Sequence, residues 1–291
     1  MKRTTDIPEI QLGRMNALRV VKKVDFGYYL EGTIHGVRTE ILLPNNEIKG
    51  DWDAPPSEGT GEVFIYLDQS ERLVATTETP YAQVGDFAFL EVAWVNQYGA
   101  FLDWGLMKDL FVPFREQKMK MQKGKSYIVH VHLDEDSYRI MASAKVDRYI
   151  DTGFPPYQVG DEVEVLIWKK TDLGLKVIVN NRYAGMLYDD QVFKPLHTGD
   201  FATAYISQVR PDGKIDLRLS PTGQAAVQDF SEQLLQYLKD NGGHTVLGDK
   251  SPAEDIYEVF GVSKKVFKKA VGDLYKRRLI RIESNGLFLN E

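Results

Sequence analysis

The sequence predicts a mostly β chain. Three copies of one all-β module are followed by a smaller α/β module at the C-terminal end. Three observations carry this. The first is a repeated six-residue pattern, Phe26-Gly27-Tyr28-Tyr29-Leu30-Glu31 against Tyr98-Gly99-Ala100-Phe101-Leu102-Asp103: aromatic, Gly, any residue, aromatic, Leu, acid. The second is a repeated spacing. Val84-Gly85-Asp86 is echoed by Val159-Gly160-Asp161, and Gly124 lies as far beyond Gly85 as Gly199 lies beyond Gly160. Self-similarity at fixed spacing marks a duplicated module. The third is a change of period near Ser220-Pro221, where alternation gives way to apolar residues recurring at three and four.

Composition bounds the possibilities. The 291 residues are 43% hydrophobic and 27% charged, ordinary for a globular protein. No apolar run approaches the ~18 residues of a membrane helix, and Met1-Lys2-Arg3-Thr4-Thr5-Asp6 has no apolar stretch behind it to make a signal peptide. The chain has no cysteine, which excludes disulfides and thiolate chemistry and fits a cytoplasmic protein. The net charge of -6 confines any nucleic-acid binding to a local basic surface or to stacking.

The first module is predicted as strands over Ala17–Val24, Phe26–Glu31, Thr39–Pro44, Glu62–Leu67 and Arg72–Thr77. A polar loop, Asn45–Gly61, contains Asp51-Trp52-Asp53-Ala54-Pro55-Pro56. In the second, the apolar strand Phe87–Val95 turns at Asn96-Gln97 into a strand carrying Tyr98 and Phe101. Residues three apart on a flat strand face opposite ways, so a twist or bulge at Gly99 is needed to bring both rings to one surface. Lys108–Pro113, Ile128–Leu133 and Tyr138–Ser143 complete it. The third has strands over Glu162–Trp168, Lys176–Val179, Tyr183–Tyr188, Phe201–Val209 and Ile215–Leu219, with Asp212-Gly213 as its last turn.

These residues resemble the S1 domain, a five-stranded β-barrel of the OB type. That family starts on Val-Gly-Asp, carries aromatic-Gly-x-Phe on its second strand and a Gly-Leu-Val-type third strand. The resemblance implies that single-stranded RNA stacks on aromatics of the second and third strands. The stacking candidates are therefore Phe26, Tyr29, Tyr98 and Phe101, each of which either meets a base or packs within or between barrels. In the third module Leu173-Gly174-Leu175-Lys176 replaces both rings. Lys176 and Arg182 remain as RNA-binding candidates there, near Tyr183 and Tyr188, and the module is otherwise a spacer. Trp94 and Trp168, late in their strands, are expected to pack between barrels rather than to serve as surface platforms.

The C-terminal part reads as a helix through Ala225-Ala226-Val227, Phe230, Leu234 and Leu238, stopping at Asn241-Gly242-Gly243. A short strand at Thr245-Val246-Leu247 follows. Ser251-Pro252-Ala253-Glu254 is predicted as a capping box opening a helix that ends near Gly261. Ser263 caps a second helix, Lys264–Lys276, buried through Val266, Phe267, Ala270, Val271 and Leu274. Leu279–Ile282 and Leu287–Leu289 flank Ser284-Asn285-Gly286 as a hairpin. This is the order of a winged helix, with Lys264–Lys276 in the recognition position. Eight basic residues face one acid, Asp273, between 264 and 281. Lys264, Lys265, Lys268, Lys269, Lys276, Arg277 and Arg278 are the candidate phosphate contacts, against a merely solvated helix face. Lysines rather than Asn or Gln argue against base-specific duplex readout.

The expected domains are 1–80, 81–150 and 151–221 for the barrels and 222–291 for the winged helix. The Pro-bearing linker Gly153-Phe154-Pro155-Pro156 argues against free flexing. The whole arrangement resembles the bacterial conserved virulence factor B family of S1-domain RNA-binding proteins. That implies an RNA-binding regulator rather than an enzyme. The residues agree. No cofactor or metal is expected: the five histidines, His35, His130, His132, His197 and His244, form no ligand set, and His130 and His132 read as strand surface. No carboxylate constellation suggests a nuclease, and no Gly-rich phosphate loop is present. Single-stranded RNA is the expected partner. The alternatives are a DNA-binding transcriptional regulator acting through the winged helix, and a non-catalytic protein-interaction scaffold.

Overall fold

The computed structural model describes residues 7–50, 52, 60–189, 192, 195–219 and 224–290, with backbone alone for 224–229. Of the segments discussed above, 1–6, 51, 53–59, 220–221 and the side chains of Ala225, Ala226 and Val227 lie outside the described residues. The chain divides into two compact units, Met1–Tyr149 and Ile150–Glu291.

The first unit holds two closed five-stranded barrels. The first is built from β1 (Met15–Val24), β2 (Gly27–Ile34), β3 (Val37–Pro44), β4 (Thr60–Leu67) and β5 (Leu73–Thr76). The second is built from β6 (Phe87–Val95), β7 (Gly99–Leu102), β8 (Leu110–Pro113), β9 (Ser126–Leu133) and β10 (Ile140–Ser143). In each the third strand pairs in parallel with the fifth, and the first pairs with the fourth to close the barrel. The barrels share more than a linker. Phe64 of β4 meets Trp104 edge to face at 5.6 Å, and Phe64, Tyr66 and Val74 join the second barrel's core. The Met15 amide donates to Gln83 Oε1 at 2.9 Å, and Arg139 pairs with Glu71.

The second unit holds a third closed barrel of β11 (Glu162–Thr171), β12 (Gly174–Val179), β13 (Tyr183–Tyr188), β14 (Phe201–Val209) and β15 (Ile215–Arg218), in the same strand order. Its C-terminal domain comprises α1 (Gln224–Asp240), β16 (His244–Thr245), α2 (Ala253–Phe260), α3 (Lys264–Lys276), β17 (Ile280–Glu283) and β18 (Gly286–Leu289). The small sheet has the order β16-β18-β17. Phe230, Leu234 and Leu238 of α1 pack on Phe267, Ala270, Val271 and Leu274 of α3. The fold is thus mostly β, three OB-like barrels followed by a winged-helix domain.

The strands Phe87–Val95, Tyr183–Tyr188 and Phe201–Val209 have the expected bounds. Ser263 does cap α3, its Oγ accepting the Val266 amide at 3.4 Å. Other local expectations are corrected. The capping box at Ser251 does not form: Ser251 Oγ accepts the Gly248 amide instead, and Pro252 sits at the cap position. The short strand is His244–Thr245, and Val246 faces outward. The two-residue hairpin turn is Ser284-Asn285. Gly286 already pairs with Glu283 and lies where a Cβ would come within 2.0 Å of the Thr245 carbonyl oxygen.

A candidate nucleic-acid interface

The repeated pattern has a common backbone cause. Gly27, Gly99 and Gly174 each begin the second strand of a barrel. A Cβ on them would come within 2.2, 2.3 and 2.2 Å of the carbonyl oxygens of Leu43, Val112 and Leu187 on the third strand. Only Gly allows that approach. The residue just before it is pushed to the tip of a two-residue turn and exposed: Phe26 at 57%, Tyr98 at 66% and Leu173 at 65%. Tyr98 therefore lies in the turn, not on the strand. Asn96 clamps that turn, its Oδ1 accepting the amides of Tyr98 at 2.8 Å and Gly99 at 3.2 Å.

The irregularity in this strand pair is not at Gly99. It is a bulge on the first strand, at Ala93, where the register steps from Val92↔Leu102 to Trp94↔Phe101. A bulge re-aims the side chain that follows it. Trp94 lies parallel to Phe101, centroids 3.7 Å apart at an interplanar angle of 3°, and Phe101 meets Phe111 at 4.9 Å. The Trp94 indole N–H donates to Asp109 Oδ2 at 2.7 Å. Trp94 stays 42% exposed, so the expectation that it packs between barrels is corrected: it is the outer leaf of a surface stack. The stack lines a cleft of about 870 Å³ between the two barrels, with Tyr98, Trp104, Met107 and Arg139 of the second barrel and Leu67 and Glu71 of the first also lining it. Lys108 ties the cleft's end, its ammonium donating to the carbonyls of Leu67 and Asp68 at 3.0 Å each. Desolvation there lowers its pKa, opposed by nearby Asp68.

The same bulge recurs in the other barrels, at Val21 and at Trp168. The positions of Trp94, Phe101 and Phe111 are therefore filled by Lys22, Tyr29 and Leu42 in the first barrel, and by Lys169, Lys176 and Met186 in the third. Barrel one keeps one ring of the stack, Tyr29, with Lys22 Nζ 6.0 Å from its centroid and Phe26 edge-on at 6.4 Å. Neither Tyr29 nor Phe101 points into its barrel; both are half-buried. In barrel three Trp168 is the bulged residue itself and is buried, with Lys176 Nζ 4.1 Å and Lys169 Nζ 5.3 Å from its ring. Arg182 does not join Lys176. It sits at the far end of β12, in the turn to β13, where its Nε donates to Asp151 Oδ2 at 2.7 Å. That bond raises its pKa. Tyr183 is buried in the core, and Tyr188 is held by Arg210 and Asp216.

On α3, Lys265, Lys268, Lys269 and Lys276 are exposed and Lys264 is half-buried. Lys268 is paired with Asp249 at 2.8 Å, an acid from outside the helix, and Arg277 with Asp273 at 3.2 Å. Among the described residues Lys264, Lys265, Lys269, Lys276 and Arg278 make no ion pair. His130 and His132 are not plain strand surface. His130 stacks on Tyr149 at 4.1 Å and lies 4.7 Å from Phe87; burial, then the neighbouring His132, lower its pKa to about 4. Among the described residues no cluster of three metal-binding side chains occurs.

Residues 232–289 match the family model of the CvfB-like winged helix domain, and residues 12–78 match the S1 domain. Conserved virulence factor B of Staphylococcus aureus is 26% identical, aligned over 96% of this chain and 94% of its own length; that of Staphylococcus saprophyticus is 24% identical over 96% and 95%. This chain is similar along most of its length to the conserved virulence factor B proteins. An uncharacterised Bacillus subtilis protein, YitL, shares the likeness at 29% identity over 94% of this chain and 92% of that one. A crystal structure of a multidomain protein with nucleic acid binding domains from Streptococcus pneumoniae covers 96% of this chain and 98% of its own, at 24% identity and a TM-score of 0.40. S1 and winged-helix domains are nucleic-acid-binding families rather than enzyme families. Along this conserved virulence factor B-like chain, the S1 match falls on barrel one, while the fullest aromatic stack lies on barrel two. Among the described residues no helix is long and apolar enough to cross a membrane.

Proposed function

We propose that this protein binds single-stranded RNA in the cytoplasm as a post-transcriptional or translation-associated regulator, organised as barrels 1–80, 81–150 and 151–221 and a winged helix 222–291. The observation that carries the reading is the Trp94–Phe101–Phe111 stack, open along a cleft. Aromatic faces held at a surface accept any base, at about 1–3 kcal/mol per base. Tyr98 and, on barrel one, Phe26 and Tyr29 extend the stacking surface. Lys22, Lys169 and Lys176 supply charge at the equivalent positions. The basic face of α3 adds phosphate contacts, so binding is salt-dependent and weakly sequence-selective.

A second reading, duplex DNA bound by the winged helix, is favoured by the lysines of α3 that lack acidic partners. Fluorescence anisotropy of labelled single-stranded RNA, single-stranded DNA and duplex DNA at two salt concentrations separates the two, with Tyr98→Ala and Lys265→Ala/Lys269→Ala beside the wild type. Single-stranded RNA bound most tightly, and weakened by Tyr98→Ala, supports the first reading. Duplex DNA bound most tightly, and lost only in the lysine variant, supports the second and sinks the first.

A further inference from the structure

The cleft between the first two barrels holds a carboxylate that stacking alone does not explain. Asp109 Oδ2 accepts the Trp94 indole N–H at 2.7 Å, which fixes the carboxylate at the edge of the outermost ring. Among the described residues its other oxygen has no partner and the group has no counter-ion. The cleft's own cations are committed elsewhere: Arg139 to Glu71, and Lys108 to two carbonyls of barrel one. An uncompensated negative charge repels a phosphate backbone, so at this place it weakens indiscriminate binding. It becomes favourable only when a donor edge meets it.

A carboxylate is acceptor-only, and unstacked bases present their Watson–Crick edges. Guanine offers two adjacent donors there, N1–H and the N2 amino group. Adenine and cytosine offer one amino group beside an acceptor ring nitrogen, and uracil offers one N–H between two carbonyls. Phe101 covers one face of Trp94, which remains 42% exposed and lines the cleft. Resting on the single-strand reading above, we infer that this cleft is a guanine-selective subsite. The base stacks on the open face of Trp94, and Asp109 accepts from its Watson–Crick edge.

The test uses the full chain and uridine heptamers whose central residue is guanosine, inosine, adenosine, cytidine or uridine, followed by anisotropy. The wild type is expected to favour the guanosine oligomer over the uridine one by about tenfold, the order of one good bidentate contact. Inosine, which lacks only the N2 amino group, is expected to lose at least about threefold of that. Asp109→Asn keeps an oxygen for Trp94 and removes the charge. It should bring all five oligomers to within about twofold of one another while still binding uridine. Equal affinity of the wild type for all five overturns the subsite and leaves single-strand binding standing. So does a preference that persists in Asp109→Asn. Binding to none of them overturns the subsite together with the functional reading beneath it.

Discussion

Removing the indole of Trp94 isolates stacking from charge. Trp94→Ala deletes the exposed outer leaf of the stack, its 3.7 Å contact with Phe101 and its hydrogen bond to Asp109. One lost base–aromatic contact is about 1–3 kcal/mol. That corresponds to a Kd for single-stranded RNA roughly 5- to 150-fold weaker. The stability cost is of similar size: about 0.5–1.5 kcal/mol for the aromatic pair, plus a hydrogen bond to a charged group discounted for the 42% exposure of Trp94. The barrel should therefore stay folded, which circular dichroism checks. No charge is removed, so the slope of log K against log salt should match that of the wild type. Anisotropy across four salt concentrations measures both quantities together. A folded Trp94→Ala protein with a Kd within twofold of wild type would refute the stacking argument, as would unchanged affinity at low salt with a flattened slope.

The complementary variant, Lys265→Ala/Lys269→Ala, should flatten that slope by about 1.4 for a single strand, two phosphate contacts at about 0.7 each, and leave melting temperature within a few degrees. Gly99→Ala places a Cβ 2.3 Å from the Val112 carbonyl oxygen and 2.9 Å from the Phe111 ring. It should cost about 3 kcal/mol or more in urea unfolding and blunt RNA binding through the displaced stack. His130 has a folded pKa of about 4 against an ordinary 6.5. The unfolded chain then takes up its proton first, so stability present above pH 6.5 is lost as pH falls towards 4. His130→Gln should shallow the fall in melting temperature across that window; an equally steep fall would clear His130 of the role. Glu31 is buried between Arg19 and Arg38, both partly in solvent. Glu31→Gln should destabilise the first barrel by about 1–3 kcal/mol in thermal or urea melts, less than a fully buried pair would.

The modules were legible because their cause is local. Gly27, Gly99 and Gly174 stand where a side chain would strike the next strand, and that requirement prints the same letter into each repeat. The α3 helix was legible for the same reason: its cap, its apolar face and its lysines all lie within one short stretch. Trp94 was not, since its role depends on a bulge at Ala93, and nothing in Val92-Ala93-Trp94 distinguishes a bulged strand from a regular one. The cleft was invisible because its lining comes from residues 66–71, 94–113 and 139–141, far apart in sequence. The Lys268–Asp249 pair and the turn from Ser251 to Gly248 depend on a loop whose path residue types alone do not set. Tyr98 and Phe101 do not share a surface by a strand twist: Tyr98 reaches the surface from a turn.

The recurrence of the bulge at Val21, Ala93 and Trp168 makes the three barrels interchangeable sockets. Each presents three side-chain mounts at equivalent register, loaded with Lys, Tyr and Leu, with Trp, Phe and Phe, or with Lys, Lys and Met. Refitting one socket is then a matter of side chains alone. Lys22→Trp, Tyr29→Phe and Leu42→Phe would transplant the second barrel's stack onto the first without asking the main chain to move. The number of stacked rings a barrel carries on its surface is then an adjustable quantity, set by three letters per barrel.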